Sequence, residues 1–242
     1  ILLIMIKIID THQHLWDLDR LKLPWLDNVP ALKKKHLSAD YLKAIDGTGI
    51  NRTIYMEVDV HSEHKQKEIE DMTLLCKSEE EIMRGMVIYG NPEDSRFSKF
   101  LEINSGNHYI KGVRQVLHTL EQPQKKCLTT EFVQGVRELG KRGLLFDICI
   151  RPAEIHDAVE LCRENPRTIF ILDHCGNADP YVVNGQRSED NSRLDSTFVH
   201  TREHWQEGIN QLAKLENVYC KISGIISRVK KGWNAKTLAP TI

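Results

Sequence analysis

What this chain of 242 residues has little of narrows its class first. Net charge is nearly absent: 33 basic against 34 acidic residues leave −1, and the two signs are mixed along the chain. A nucleic-acid surface needs clustered Lys and Arg. The one short basic run, Lys33-Lys34-Lys35, reads as a solvated turn ahead of a helix. A long apolar run is missing as well. Ile1–Met5 is apolar, has no basic start and is ended by Asp10, which is the pattern of neither a membrane span nor a signal peptide. Met5 is read as a start, with residues 1–4 an extension. No Cys-x-x-Cys pair occurs. The six cysteines (76, 127, 149, 162, 175 and 220) are scattered, and those at 149, 175 and 220 lie in or beside apolar runs. They read as small buried hydrophobes in a reducing compartment, so a cytoplasmic location is expected. Cys175 follows His174, but neighbours at a strand end point in different directions, so a thiolate ligand is not expected there. There is no Gly-x-Gly-x-x-Gly after the first apolar run and no Gly-x-Ser-x-Gly elbow, which removes a dinucleotide fingerprint and a serine nucleophile.

What is present is ordinary globular composition, 40% hydrophobic and 28% charged. β-rich apolar runs recur at Ile6–Thr11, Thr53–Val60, Gly85–Tyr89, Ile110–Val116, Leu144–Ile150, Thr168–Asp173 and Val218–Ser223. Helical patterns lie between them. Ser38 caps Ala39–Asp46, Ser62 caps a segment to about Glu80, Thr130 caps Glu131–Lys141, Pro152 opens Ala153–Glu164, and His200–Leu215 has apolar positions at helical spacing. Strand–helix repetition of this kind predicts an α/β fold with parallel strands, closed as a (β/α)8 barrel, with a doubly wound open sheet as the alternative. Seven strands are one short of eight, and no eighth is readable after Ser223. The expectation is therefore one barrel domain over residues 1–242, cut short at its C-terminus. The polar stretch Asn177–Ser196 reads as a long loop above the sixth strand, placed to act as a lid.

Asp10-Thr11-His12-Gln13-His14 follows the first apolar run. Alternation along a strand places Asp10, His12 and His14 on one side. Two imidazoles one pleat apart can grip a divalent metal or a substrate oxygen. In barrels the working groups sit where strands end. Reading strand ends in order adds Glu57 and Asp59, Arg114, Asp147, Asp173-His174, then Lys221 and Ser223. Polar groups inside apolar runs are costly unless paired or used, and this many at C-terminal strand ends favour an active site. His174 would complete an open three-histidine metal site; otherwise it is a core histidine bonded to Asp173 or backbone. Arg114 suits carboxylate or ring oxygens, or forms an ion pair with Glu57 or Asp147. The remaining histidines read as surface residues, except His118, which lies just after the fourth strand.

These blocks together resemble a known family. Ile9-Asp10-Thr11-His12-Gln13-His14-Leu15-Trp16, Pro24-Trp25-Leu26, Lys111-Gly112-Val113-Arg114, Phe146-Asp147, Leu172-Asp173-His174-Cys175-Gly176 and Val218-Tyr219-Cys220-Lys221-Ile222-Ser223-Gly224 are similar to the amidohydrolase-2 branch of the amidohydrolase superfamily. Within it they most resemble the sugar-lactone hydrolases that include L-fuconolactonases and L-rhamnonolactonases. The resemblance implies a (β/α)8 barrel and hydrolysis of a lactone or related ester. It implies His12, His14 and His174 as metal- or oxyanion-binding residues. It also implies an Asp at the end of the eighth strand, for which this sequence has no match. Arg114 stands where a bridging lysine would hold two metals, which argues for one divalent metal, zinc foremost, or none.

The mechanism expected from this reading is direct attack of water on a lactone carbonyl. Arg114, Glu57 and Asp147 hold substrate oxygens and Trp25 stacks on the ring face. The partner is a small lactone, with no nucleic acid and no membrane, and a homo-oligomer remains open. The competing readings are a metal-dependent non-oxidative decarboxylase, a phosphoesterase, and an inactive barrel with a binding role.

Overall fold

Alternating apolar segments become strands and the amphipathic segments between them become helices. The computed structural model describes residues 7–185, 199–229 and 231–242. The strands are β1 (Ile8–Gln13), β2 (Ile50–Met56), β3 (Met83–Tyr89), β4 (Ile110–Val116), β5 (Leu145–Cys149), β6 (Phe170–Leu172) and β7 (Val218–Cys220). The helices are α1 (Ser38–Ala44), α2 (Lys65–Lys77), α3 (Phe97–Ile103), α4 (Thr130–Lys141), α5 (Ile155–Glu164), α6 (Pro180–Val183), α7 (Arg202–Leu212) and α8 (Ala235–Leu238). The seven strands hydrogen-bond in strict chain order, β1 to β7. The pairs β1–β2, β2–β3, β5–β6 and β6–β7 are parallel. A doubly wound sheet reverses its order at a switch point; this one does not, and its order is that of a (β/α)8 barrel. Among the described residues the chain after β7 forms helical turns and α8 rather than an eighth strand.

By internal packing the chain divides into Ile1–Tyr89 with Ile103–Gly112, and Gly90–Glu102 with Val113–Ile242. In the first unit Tyr55, Met56, Met83 and Met86 are fully buried, and α2 adds Ile69 and Met72. In the second, three rings interlock across α4, β5 and β6. Phe132 meets Phe146 edge-on at 5.7 Å, and Phe146 meets Phe170 at 6.3 Å. Such pairs contribute about 0.5–1.5 kcal/mol each beyond their area. This packing seats Phe146, and so aims its neighbour Asp147 the other way.

The expected strands are all present, with shifted bounds. β2 begins three residues early and stops at Met56; Glu57 N–H still donates to the Val87 carbonyl of β3 at 3.0 Å, and Asp59 takes a left-handed φ of 48°. β1 is less buried than an isoleucine-rich run suggests: Ile8 is 40% and Ile9 57% exposed. Among the described strands β1 has β2 as its one neighbour. α3 was not foreseen. Helix starts also differ from the expected caps. Thr129, not Thr130, accepts the Phe132 N–H, and Thr201 accepts that of His204. α2 is preceded by a 3₁₀ turn at Ser62–His64 rather than capped by the Ser62 side chain. Met5 and the rest of residues 1–6 lie outside the described residues. So does most of the expected lid; its described start is α6, capped by Asp179, which accepts the Tyr181 N–H at 2.8 Å.

Candidate active site

Strand ends carry the chemistry in each unit. In the first, β1 is bulged: Asp10 pairs with Thr53 and Gln13 with Tyr55, so three steps on β1 match two on β2. The bulge breaks the simple alternation expected from the sequence. Asp10 accepts the Tyr41 hydroxyl from α1 at 2.6 Å and the His12 backbone N–H at 2.9 Å. His12 and His14 do meet, ring to ring, edge-on at 4.8 Å. Gln13 turns inward, its Oε1 accepting the Thr53 hydroxyl at 2.7 Å. His14 Nδ1 sits 2.9 Å from the Met56 carbonyl oxygen. An N–H donated there fixes the tautomer and presents Nε2 as the ligand atom, the usual support for a metal-bound histidine.

Beyond β2 the acids cluster. Glu57 is fully buried and its Oε2 accepts the Asp59 N–H at 2.7 Å. Glu68, on α2, is buried behind it; its Oε1 accepts the Tyr55 hydroxyl and the Val58 N–H, each at 2.9 Å. Glu68 Oε2 is buried and makes no hydrogen bond among the described residues. Burial, then the nearby Glu57 charge, pushes the Glu68 carboxyl up to about 7, with Lys65 and the two donors opposing. Trp25, read from the sequence as a stacking platform, gives its indole N–H to the Val58 carbonyl at 2.8 Å and meets Trp16 edge-on.

The raised Glu68 carboxyl has a measurable consequence. A carboxyl with a folded value above its unfolded one keeps its proton in the native state after the unfolded chain has lost it. Stability therefore falls as pH rises from about 4.5 to about 7. Glu68→Gln, which mimics the protonated form, should flatten that stretch. At pH 8 it should be the more stable protein by up to about 3 kcal/mol, and near pH 4.5 equal to the wild type. Urea unfolding at the two pH values checks this; equal differences at both would refute the assignment.

In the second unit β4 to β7 bring four charged side chains into one buried network. Arg114 Nη1 lies 3.2 Å from Asp173 Oδ2, and Lys221 Nζ lies 3.2 Å from Asp173 Oδ1 while also gripping Asp147 Oδ1. Asp173 and Asp147 are 0% and 1% exposed. Sequence reasoning offered Glu57 or Asp147 as a partner of Arg114; Arg114 hydrogen-bonds Asp173, which that reading did not name, and Lys221 pairs with Asp147. Burial raises the Asp147 carboxyl, with the Asp173 charge adding to it and Lys221 and Arg114 opposing. Asp147 Oδ2 is buried without a hydrogen-bond partner among the described residues.

His174 begins a left-handed turn. His174, Cys175, Gly176 and Asn177 have φ of 55°, 52°, 69° and 59°. Non-glycine residues in this region cost about 1–2 kcal/mol each, so the turn persists only because it is pinned. The Cys175 N–H donates to the Lys221 carbonyl at 3.1 Å, Trp205 Nε1 donates to the Cys175 carbonyl at 2.8 Å, and Asn177 Nδ2 donates to the Ile150 carbonyl at 2.8 Å. Strain held this way at a strand end is a mark of a working site. His174 Nδ1 lies 2.8 Å from Ser223 Oγ, again leaving Nε2 as the ligand atom. Asp173 and His174 offer ligand atoms within 4.8 Å of each other. Imidazole nitrogen and carboxylate oxygen are the donors zinc takes, so the residues present fit a divalent ion of that kind. His118, the outlying candidate after β4, has Nδ1 3.0 Å from Cys149 Sγ.

Three residues in these contacts were named from the sequence without being assigned a role: Asp173, Lys221 and Ser223. Glu68 was missed. Its signal was readable, since Glu68, Met72 and Cys76 recur every four residues on the buried face of α2.

The family model described as Amidohydrolase matches residues 9–242, nearly the whole chain. This chain belongs to the amidohydrolase-2 family. Among curated relatives of this amidohydrolase is the L-fucono-1,5-lactonase of Burkholderia multivorans (strain ATCC 17616 / 249). It is 23% identical over 235 residues, which cover 95% of this chain and 73% of that protein. A crystal structure of an amidohydrolase from Burkholderia multivorans with bound zinc superposes with a TM-score of 0.75 at 19% identity, covering 98% of this chain and 77% of that one. The 2,6-dihydroxybenzoate decarboxylase from Rhizobium gives a TM-score of 0.57 at 12% identity, over 97% and 83%. At these identities the two structures share the fold of the amidohydrolase. No helix among the described residues is long and apolar enough to cross a membrane.

Proposed function

We propose that this amidohydrolase opens a sugar-acid lactone by attack of water on the ring carbonyl. The observation that carries the reading is Asp147: a buried carboxyl, pushed toward the neutral form, with Oδ2 turned away from its lysine partner. A general base works best when its affinity for protons matches the operating pH. Asp147 Oδ2 takes the proton of the attacking water and returns it to the alkoxide that leaves when the ring opens. Asp173 and Arg114 hold Lys221 and the substrate oxygens in register. Glu57 and Trp25 bind the sugar hydroxyls and ring face.

In this reading Asp173 and His174 offer the second unit's ligand atoms for a divalent ion, and His12 and His14 offer those of the first. Each offers a nitrogen or oxygen ligand atom, and both His14 and His174 have Nδ1 occupied by a supporting group. Such an ion, when bound, polarises the carbonyl and stabilises the charge that develops on it. The weak likeness to a lactonase supports this choice of ester. The six free thiols support a cytoplasmic location.

A pH-indicator screen of sugar-acid lactones, with and without chelator, tests the proposal. Acid release that chelator suppresses and zinc restores is the expected result. Carbon dioxide release from aromatic acids, with every lactone untouched, would replace this reading with the decarboxylase one. Activity that survives His12→Ala unchanged would remove the histidines from the mechanism.

A further inference from the structure

The second unit holds a pair of thiols that the proposed reaction does not use. Cys175 is the second residue of the left-handed turn, and Cys220 is the last residue of β7. Their sulfurs share one acceptor, lying 3.7 and 3.8 Å from the Lys221 carbonyl oxygen. Backbone bonds on both sides keep them in place: Lys221 N–H to the Leu172 carbonyl at 2.9 Å, and Cys175 N–H to the Lys221 carbonyl at 3.1 Å. The two differ in access. Cys220 is exposed and Cys175 is 3% exposed. Cys76, Cys127, Cys149 and Cys162 are all buried, so a dissolved oxidant meets Cys220 first. This contrasts with the sequence reading of all six as buried hydrophobes; β7 ends at Cys220 with its side chain in the open.

We propose that Cys175 and Cys220 form a reversible disulfide under peroxide, covalently tying the His174 turn to the end of β7. The Cys220 sulfur, giving up its proton, attacks one oxygen of hydrogen peroxide. The O–O bond breaks, an S–O bond forms, and the departing hydroxide takes that proton and leaves as water. Cys220 is then a sulfenic acid. The Cys175 sulfur attacks it, the S–S bond forms at about 2.05 Å, the S–O bond breaks, and the hydroxyl leaves as water with the Cys175 proton. Two thiols lose two electrons and one peroxide becomes two waters. The bond joins the residue after His174 to the residue before Lys221, so oxidation reaches both groups through the backbone. A buried resolving thiol beside an exposed one is the arrangement that halts oxidation at the reversible stage.

The test treats the full chain with hydrogen peroxide, alkylates remaining thiols, and maps peptides by mass spectrometry. The expected product is one linked peptide pair containing Cys175 and Cys220, lighter than the two reduced peptides by two hydrogens, and restored by dithiothreitol. Cys220→Ser should leave Cys175 reduced. Cys175→Ser should stop at a sulfenic acid on Cys220 that dimedone traps. Both variants can be checked for folding by circular dichroism, and the exposed Cys220 position tolerates change best. If wild-type Cys220 runs on to sulfinic acid with no linked peptide, or links only to a second copy of the chain, the proposal is overturned. The readout is mass alone, so it stands or falls apart from the lactone reading.

Discussion

Lys221→Met should lower the unfolding free energy by about 3–5 kcal/mol at neutral pH, because it strands buried charge. The Lys221 ammonium is the one cation in contact with Asp147 in the network, and it also touches Asp173. Methionine keeps most of the stem volume and removes the charge. Two carboxylates at 0% and 1% exposure then lose that cation. The penalty has a pH signature. As pH falls Asp147, whose carboxyl is already raised by burial, takes up a proton, and the loss should shrink at acid pH. Lys221→Met with Asp147→Asn should recover most of it, since removing both members of a buried pair costs far less than removing one. Urea unfolding of the two single variants and the double variant measures the coupling, expected at about 0.5–3 kcal/mol for residues in contact. Additive single losses would show that the two side chains do not act as a pair.

Gly224→Ala should cost activity far more than stability. Gly224 has φ of +63°, and a β-carbon there would fall 2.5 Å from His174 Nδ1 and 2.7 Å from its Cγ. Nothing in that contact is a flexible side-chain end. The ring must swing, and it must leave Ser223 Oγ, which supports it at 2.8 Å. A misplacement of about an ångström in a catalytic group can cost about 100-fold in rate, and loss of the group supporting a metal-bound histidine lowers metal affinity about 10–100-fold. The backbone penalty for alanine in this region is only about 1–2 kcal/mol. The expected result is a kcat/KM lower by about 100-fold on the lactone found in the screen, with zinc affinity reduced in parallel and the folded state retained. A variant with normal turnover would mean that His174 does no work where it stands.

The fold was legible because its signals are local. Ile110–Val116 places β-branched residues at 110, 113 and 116, and Leu145–Cys149 is apolar except for Asp147, so pleated backbone suits both. Strict alternation with helices then led to a sequential parallel sheet. Helix bounds slipped by a few residues because several threonines and serines near each start can cap, and only packing selects Thr129 over Thr130. α3 escaped notice because it is short, with Phe97 and Leu101 its only buried residues. The histidines and acids at strand ends stood out because a polar residue in an apolar run is locally improbable. Their partners did not. That Arg114 meets Asp173, and that Lys221 meets Asp147, depends on which strand ends lie side by side.

By itself the sequence determined the α/β class, the seven strands, the family, and the residue types that gather at strand ends. Tertiary structure alone decided three things: the bulge in β1 between Asp10 and Gln13, the four-residue left-handed turn that carries His174, and the charge network of Arg114, Asp147, Asp173 and Lys221. The physical reason is range. Periodicity and capping act over a few residues, and each position carries its own share of that signal. A strained turn or a buried ion pair is disfavoured locally, and it exists only where distant strands supply the hydrogen bonds and countercharges that outweigh its cost.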